Sequence, residues 1–211
     1  MNKTFENLNK EKKQRIINSA IEEFANKGYK NATIDNIVSK ADISKGSIFQ
    51  YFKNKESLYI YICDYQINII KDEIFNQKEI NETDFFELYR HAAHIKFEIL
   101  KKSPYIFKFF KNLYSDDSEV AKKWLNNIFQ NKNQLMLNFM GDYDKTKFRD
   151  DIDIDMAVKA IELTFDGLSM KWMEKLSYEN YEEDLKSLFD EVEDYINFYQ
   201  KLYYKGENNV Y

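Results

Sequence analysis

A chain of 211 residues with one proline, Pro104, and five glycines has few means of turning tightly. Glycine and proline supply the backbone angles that hairpins and tight turns need, so their scarcity argues against an all-β fold. The apolar pattern points the same way. From Lys10 to Lys27, the residues Ile16, Ile17, Ala20, Ile21, Phe24 and Ala25 recur at three- and four-residue steps, the spacing of one helix face. Gly28 then stands at the C′ position, where a left-handed residue ends a helix.

The same reading carries to the end of the chain. Thr33 is an expected N-cap for a helix whose buried side is Ile34, Ile37 and Val38, and Ser44 caps a short helix holding Ile48, Phe49, Tyr51 and Phe52. Asn54 caps a fourth helix, expected to end near Gln77, and Thr83 caps a fifth that stops before Pro104. Pro104 suits the first turn of the next helix, and Ser118 caps a long one ending near Gly141. Two further helices begin near Ile152 and Glu182, and the last lines up Leu185, Leu188, Phe189, Val192, Tyr195, Ile196, Tyr199 and Leu202. No period-2 run reads as a strand. The expected class is all-α with about nine helices: an N-terminal three-helix domain over residues 1–53 and a larger helical domain over 54–211.

Hydrophobic residues make up 44% of the chain, enough to bury a sizeable core. One cysteine, Cys63, allows no internal disulfide, and the N-terminus lacks an apolar leader, so a cytoplasmic location is expected. The net charge of −5 is unevenly spread. Residues 1–62 hold 11 Lys/Arg against 7 Asp/Glu, whereas residues 63–211 hold 20 against 29. A mildly basic head on an acidic body is the balance of a nucleic-acid binder with a soluble body.

The stretch "TIDNIVSKADISKGSIFQYFKNKESLY" gives that head a form. A helix as short as "SKGSIFQY" cannot stand alone, since isolated helices under about 12–15 residues are marginal. Next to the preceding helix and a tight turn, however, it completes a helix-turn-helix, whose second helix enters the major groove of DNA. About seven residues at 1.5 Å rise span roughly 10 Å, a fit to a groove about 12 Å wide. Ile48 and Phe52 lock its other face onto the head's core.

The motifs Gly28-Tyr29, Thr33, Ser44-Lys45-Gly46-Ser47, Tyr51-Phe52 and Lys55-Glu56-Ser57-Leu58 follow in the order seen in the tetracycline-repressor (TetR) family of transcriptional regulators. Residues 8–60 resemble that family's DNA-binding domain. Two positions depart from its pattern: Asp42 stands where the turn usually has Gly, and Phe49 where many relatives have Tyr. Asp tolerates the left-handed region at some cost, and Phe49 exchanges a phosphate-bonding hydroxyl for an apolar face suited to a thymine methyl. Thr33 and Ser44 sit at helix N-termini, where free N–H groups favour phosphate oxygens. Gly46 allows close backbone approach, Lys45 and Ser47 face outward from the first turn, and Gln50 is a candidate reader of adenine. Tyr51 and Lys55 resemble the family's phosphate clamps.

For the body the resemblance implies a homodimer, a small-molecule effector and ligand-controlled release from a palindromic operator. The expected dimer contacts lie on the last two helices: Ile161, Leu168, Trp172, Leu188, Val192, Tyr195 and Tyr199. Tyr89, Phe97, Phe110, Leu113, Trp124 and Phe165 are the candidate lining of an effector pocket for an apolar or aromatic ligand, or a lipophilic cation held near Glu162 or Asp166. His91 and His94 share a helix face with Glu87 and Glu98, a pattern that reads first as a polar solvent side, and no metal or cofactor is expected. Nor does any Gly-rich phosphate loop or nucleophile elbow point to an enzyme. The alternative is a helical small-molecule or metal carrier without working DNA binding.

Overall fold

The computed structural model describes residues 3–76, 82–176 and 179–206. Among these are ten α-helices: α1 (Lys3–Glu6), α2 (Lys10–Asn31), α3 (Ile34–Ala41), α4 (Lys45–Tyr51), α5 (Lys55–Asn76), α6 (Phe85–Lys102), α7 (Pro104–Ser115), α8 (Glu119–Met140), α9 (Ile154–Lys175) and α10 (Tyr181–Tyr203). Nine have seven residues or more, as the periodicity implies; α1 is an addition. The expected end of α5 at Gln77 lies outside the described residues. No described helix is long and apolar enough to cross a membrane.

The chain divides into two compact units, Met1–Lys71 with Ser103–Lys132, and Asp72–Lys102 with Asn133–Tyr211. In the first, α2 packs against α3 and α7. Ile16, Ile17, Ala20, Phe24 and Ala25 of α2 are all but fully buried, beside Ile37, Ile48, Leu58, Tyr59, Phe107 and Phe109 from the other helices. Gly28 takes φ +66°, ψ 176°, a positive-φ conformation suited to glycine, but it does not end the helix as expected: it kinks α2, which runs on to Asn31.

The stretch after the kink, which leads into the Thr33 cap, is gripped from two sides. Lys55 Nζ donates to the carbonyls of Tyr29 (2.7 Å), Lys30 (3.2 Å) and Ala32 (3.1 Å) and sits 4.6 Å from the centre of the Tyr29 ring. From the end of α7, Asp116 Oδ2 accepts the Tyr29 N–H at 3.1 Å, Asn112 Nδ2 donates to the Ala25 carbonyl and Asp117 pairs with Lys30.

The second unit is built on α6, α9 and α10. Phe85, Phe86, Leu88, Tyr89, Ala92, Met140, Phe148, Ile161 and Ile196 form one buried cluster. Its organising polar residue is Asp84, and here the expected cap is off by one. Thr83 does not cap α6; Asp84 does, accepting the N–H groups of Phe86 (2.9 Å) and Glu87 (3.1 Å) on Oδ1. The carboxylate also accepts from Lys147 Nζ (2.8 Å) and the Tyr204 hydroxyl (3.0 Å). A single antiparallel bridge, Phe148 with Tyr204, and the Arg149 N–H donating to the Tyr203 carbonyl at 2.9 Å fasten the end of α10 to the 145–149 segment.

Burial pushes the Asp84 carboxyl up, but hydrogen bonds from Lys147, the Glu87 N–H and Tyr204 outweigh it and hold it below the usual carboxylate range. A carboxyl depressed in the folded state stabilises fully above its unfolded pKa, about 4, and loses that contribution as pH falls through the lower folded value. Asp84→Asn is therefore expected to lower stability at pH 7 by about 1–3 kcal/mol and to flatten the acid limb of a stability–pH curve below about pH 4. Denaturant melts across that range check it; an acid limb unchanged in the variant contradicts it.

Candidate nucleic-acid interface

The α3–turn–α4 unit is assembled by caps. Thr33 Oγ1 accepts the Asn36 N–H at 3.2 Å and Ser44 Oγ accepts the Ser47 N–H at 3.1 Å, so both helices begin as their sequence implies. Asn54 and Ser57 cap α5 reciprocally, with Ser57 N–H to Asn54 Oδ1 at 2.8 Å and Asn54 N–H to Ser57 Oγ at 3.1 Å. Between α3 and α4, Asp42 adopts φ 53°, ψ 56°, the left-handed conformation a family glycine would take. The Ile43 N–H closes the turn on the Val38 carbonyl at 3.1 Å. Glu23, 3% exposed, accepts the Thr33 N–H (3.2 Å) and Asn36 Nδ2 (2.9 Å), tying α2 to the start of α3. Helical spacing gives no hint of that role, because the residue falls within the stripe as one more acid.

α4 is two-sided. Ile48, Tyr51 and Phe52 are buried, while Lys45, Gly46, Phe49 and Gln50 face solvent with Ser44 and Thr33, and Ser47 is half-buried. Phe49 is 46% exposed. A Cβ added at Gly46 would meet nothing nearer than Ser44 Oγ at 3.8 Å, so packing within the chain does not demand glycine there. Lys45 Nζ lies 2.8 Å from Asp35 of α3. Exposed pairs of this kind contribute about 0–1 kcal/mol and open readily to a phosphate or base.

Two expected contacts are placed differently. Lys55 directs its donors at the Tyr29 and Lys30 carbonyls in the last turn of α2 and at the Ala32 carbonyl after it, so it fastens the head rather than reaching outward. The Tyr51 ring is buried against Phe5, with centroids 5.6 Å apart, and it serves as a packing residue of α4.

The six residues expected to line a pocket fall in two groups. In the first unit Phe110 packs edge-on to Phe109, Leu113 is buried, and Trp124 donates its indole N–H to Asp64 at 2.8 Å. In the second, Tyr89 stacks on Phe165 (centroids 5.3 Å) and Phe97 packs against Phe189 (4.7 Å). Burial, then the carboxylates Glu162 and Asp166, raise the Tyr89 phenol's pKa. A cleft of about 400 Å³ in this unit is lined by Glu82, Glu87, Leu88, Arg90, His91, His94, Phe189 and Glu193, none of them among the six. No group of three His, Cys, Asp or Glu among the described residues is placed to hold a metal ion. Cys63 is a free, buried cysteine, and burial pushes its thiol pKa up.

On α9 and α10 the inward and outward rows separate. Ile161, Leu168 and Trp172 are buried within the protomer, with the Trp172 indole donating to Glu191 at 2.7 Å. They are thus part of the chain's own core, not a surface open to a second copy. The open row is Met156, Leu163 and Met170, each at least 60% exposed and seven residues apart on α9. A parallel row on α10, half-buried Leu188 with exposed Tyr195 and Leu202, repeats at the same interval. Val192 and Tyr199 are partly buried against the unit's core.

Residues 16–62 match the family model described as bacterial regulatory proteins, tetR family. The HTH-type negative transcriptional regulator IcaR of the biofilm operon icaADBC in Staphylococcus aureus is 28% identical over 200 residues, 90% of this chain and 99% of that protein. The HTH-type transcriptional regulator YerO of Bacillus subtilis is 42% identical over 69 residues, which span 33% of this chain and 24% of that protein. Among solved structures, a TetR family transcriptional regulator from Chloroflexus aurantiacus superposes with a TM-score of 0.62 at 24% identity, covering 96% of this chain and 98% of that one, a likeness of fold.

The different duties of Lys55 and Lys45 predict different responses. Lys55→Met is expected to lower thermal stability by about 1–3 kcal/mol, since it leaves carbonyls at the end of α2 and just after it without their donor. Lys45→Ala is expected to change it by less than about 1 kcal/mol. Paired thermal melts check this, and equal losses would contradict the assignment.

Proposed function

On the footing that the chain belongs to the TetR family of bacterial regulatory proteins, we propose that it is a dimeric repressor that binds a palindromic operator and leaves it when a small apolar or aromatic effector binds. The observation that carries the reading is the solvent-facing first turn of α4. Both caps are formed, Gly46 has space around it that packing does not use, and Phe49 and Gln50 are open beside it. A helix N-terminus with free N–H groups and no Cβ at Gly46 is suited to a phosphate oxygen. Phe49 offers a face for a thymine methyl and Gln50 an amide for adenine. IcaR is a negative regulator by name, and repression is the sense we assign here.

Functionally, residues 1–53 are the reading head, and residues 54–211 carry effector sensing and dimerisation. The outward rows of α9 and α10 are the contact for a second copy, because two sets of apolar residues at seven-residue spacing can interdigitate with their own symmetry mates. Tyr89 and Phe165, with Glu162 and Asp166 nearby, are the favoured start of an effector site. The linkage inside the first unit runs from α7 through Asp116 and Asn112 to the segment before Thr33, and from α5 through Lys55 to the same segment. An effector shifts the DNA-binding equilibrium only by its differential affinity for the two arrangements.

Two outcomes are expected. Against a duplex that the protein enriches from a randomised pool, Gly46→Ala should keep the wild-type melting temperature and bind at least tenfold more weakly, measured by fluorescence anisotropy. Affinity unchanged by this substitution would contradict the close backbone approach. Leu163→Glu with Met170→Glu should convert a dimer into a monomer in sedimentation velocity; a wild-type sedimentation coefficient in the variant would place the interface elsewhere.

A further inference from the structure

α4 has seven residues and three apolar anchors, Ile48, Tyr51 and Phe52. Two of those anchors rest on a side chain from the first turn of the chain. Phe5 of α1 is 2% exposed, with its ring 5.6 Å from Tyr51 and 4.8 Å from Phe52. On its third side it meets Tyr61 of α5 edge-on at 5.3 Å. α1 is fastened to α2 as well: Glu6 pairs with Lys13, whose ammonium also lies 5.5 Å from the centre of the Phe5 ring. The Leu8 N–H on the Phe5 carbonyl at 3.2 Å turns the chain back into α2. Phe5 therefore lies where α2, α4 and α5 converge, and it is outside the segment 16–62 that matches the family model.

We infer that α1 is a brace that sets DNA affinity by holding the recognition helix at its C-terminal end, with Phe5 as the positioning residue. This rests on the reading of α4 as the element that enters the groove. The physical reason is the shortness of α4. Its N-terminus is held by the Ser44 cap and the turn from α3, both of which leave the far end free to tilt about the Asp42 turn. Ile48 alone is one contact one turn from that cap and cannot fix the tilt. A tilt of the whole helix moves Phe49 and Gln50 relative to the duplex, and base contacts tolerate little misplacement. Tyr51 and Phe52 fix it: Phe52 packs on Tyr61 of α5 with centroids 5.3 Å apart, and Phe5 closes on both Tyr51 and Phe52, joining them in one cluster that no residue of the helix-turn-helix itself completes. α1 makes no phosphate contact in this scheme, so its loss should weaken binding without changing how binding depends on salt.

The test uses the full chain and three proteins: wild type, Phe5→Ala and Phe5→Leu. Amide hydrogen exchange is followed over residues 45–52 and, as an internal control, over α6 and α10. Affinity for the duplex enriched by the wild type is read at several salt concentrations. Phe5→Ala should exchange at least tenfold faster over 45–52 and bind at least tenfold more weakly, with an unchanged salt slope and unchanged exchange in α6 and α10. Phe5→Leu, which refills most of the space, should recover most of both losses. Unchanged exchange over 45–52 in Phe5→Ala overturns the brace, as does faster exchange with unaltered affinity. Affinity lost together with a shallower salt slope overturns it too, since α1 would then touch DNA itself. If the wild type enriches no duplex, the repressor reading fails, and the exchange measurement alone decides whether Phe5 holds α4.

Discussion

The N-terminal head of this protein depends on holding a seven-residue helix that cannot hold itself. Every feature of the head answers that need. The Ser44 cap satisfies a donor at the start of α4, the left-handed Asp42 sets its entry angle, Ile48 sinks into the core, and Tyr51 and Phe52 close on Phe5. The next layer steadies these in turn. Glu23 joins α2 to the Thr33 cap, and Lys55 gathers three carbonyls at the end of α2 and just after it. The other face of α4, with Lys45, Gly46, Phe49 and Gln50, is left exposed to solvent, and Lys45 there is paired with Asp35.

What could be read from the sequence follows the range of the physics involved. Caps and turns are local: Thr33, Ser44, Asn54 and Ser118 are each within three residues of the N–H they bind, so residue type and spacing are enough. The positive φ of Gly28 is legible for the same reason, though the continuation of α2 to Asn31 is not, and that of Asp42 follows from the family resemblance. Thr83 and Asp84 show the limit, because two adjacent cap-forming residues differ only in what else surrounds them. Asp84 wins through Lys147 and Tyr204, 63 and 120 residues away. Lys55 is hidden in the same manner: a lysine in a first turn reads as an exposed charge until the kink at Gly28 brings three carbonyls to it.

The helical body was legible as helices and less so as surfaces. α9 is apolar on two sides, and periodicity cannot say which side meets the chain's own core. Ile161, Leu168 and Trp172 turn inward, leaving Met156, Leu163 and Met170 outside, and the decision belongs to α10 and its Glu191 bond to Trp172. The six aromatic and apolar residues expected around an effector are mostly buried, yet Trp124 is tied to Asp64 and Phe97 to Phe189, neighbours that no local pattern announces. Phe5 was missed outright, since a four-residue helix is too short to carry a period.

The account turns on two copies presenting two α4 helices to one face of a duplex, with half-sites about 34–36 Å apart. The most direct measurement is sedimentation equilibrium of the protein on its selected duplex, repeated after inserting five base pairs between the half-sites. Two chains per duplex, and binding abolished when the insertion turns one half-site to the opposite face, is the predicted result. One chain per duplex, or affinity indifferent to the insertion, would contradict it.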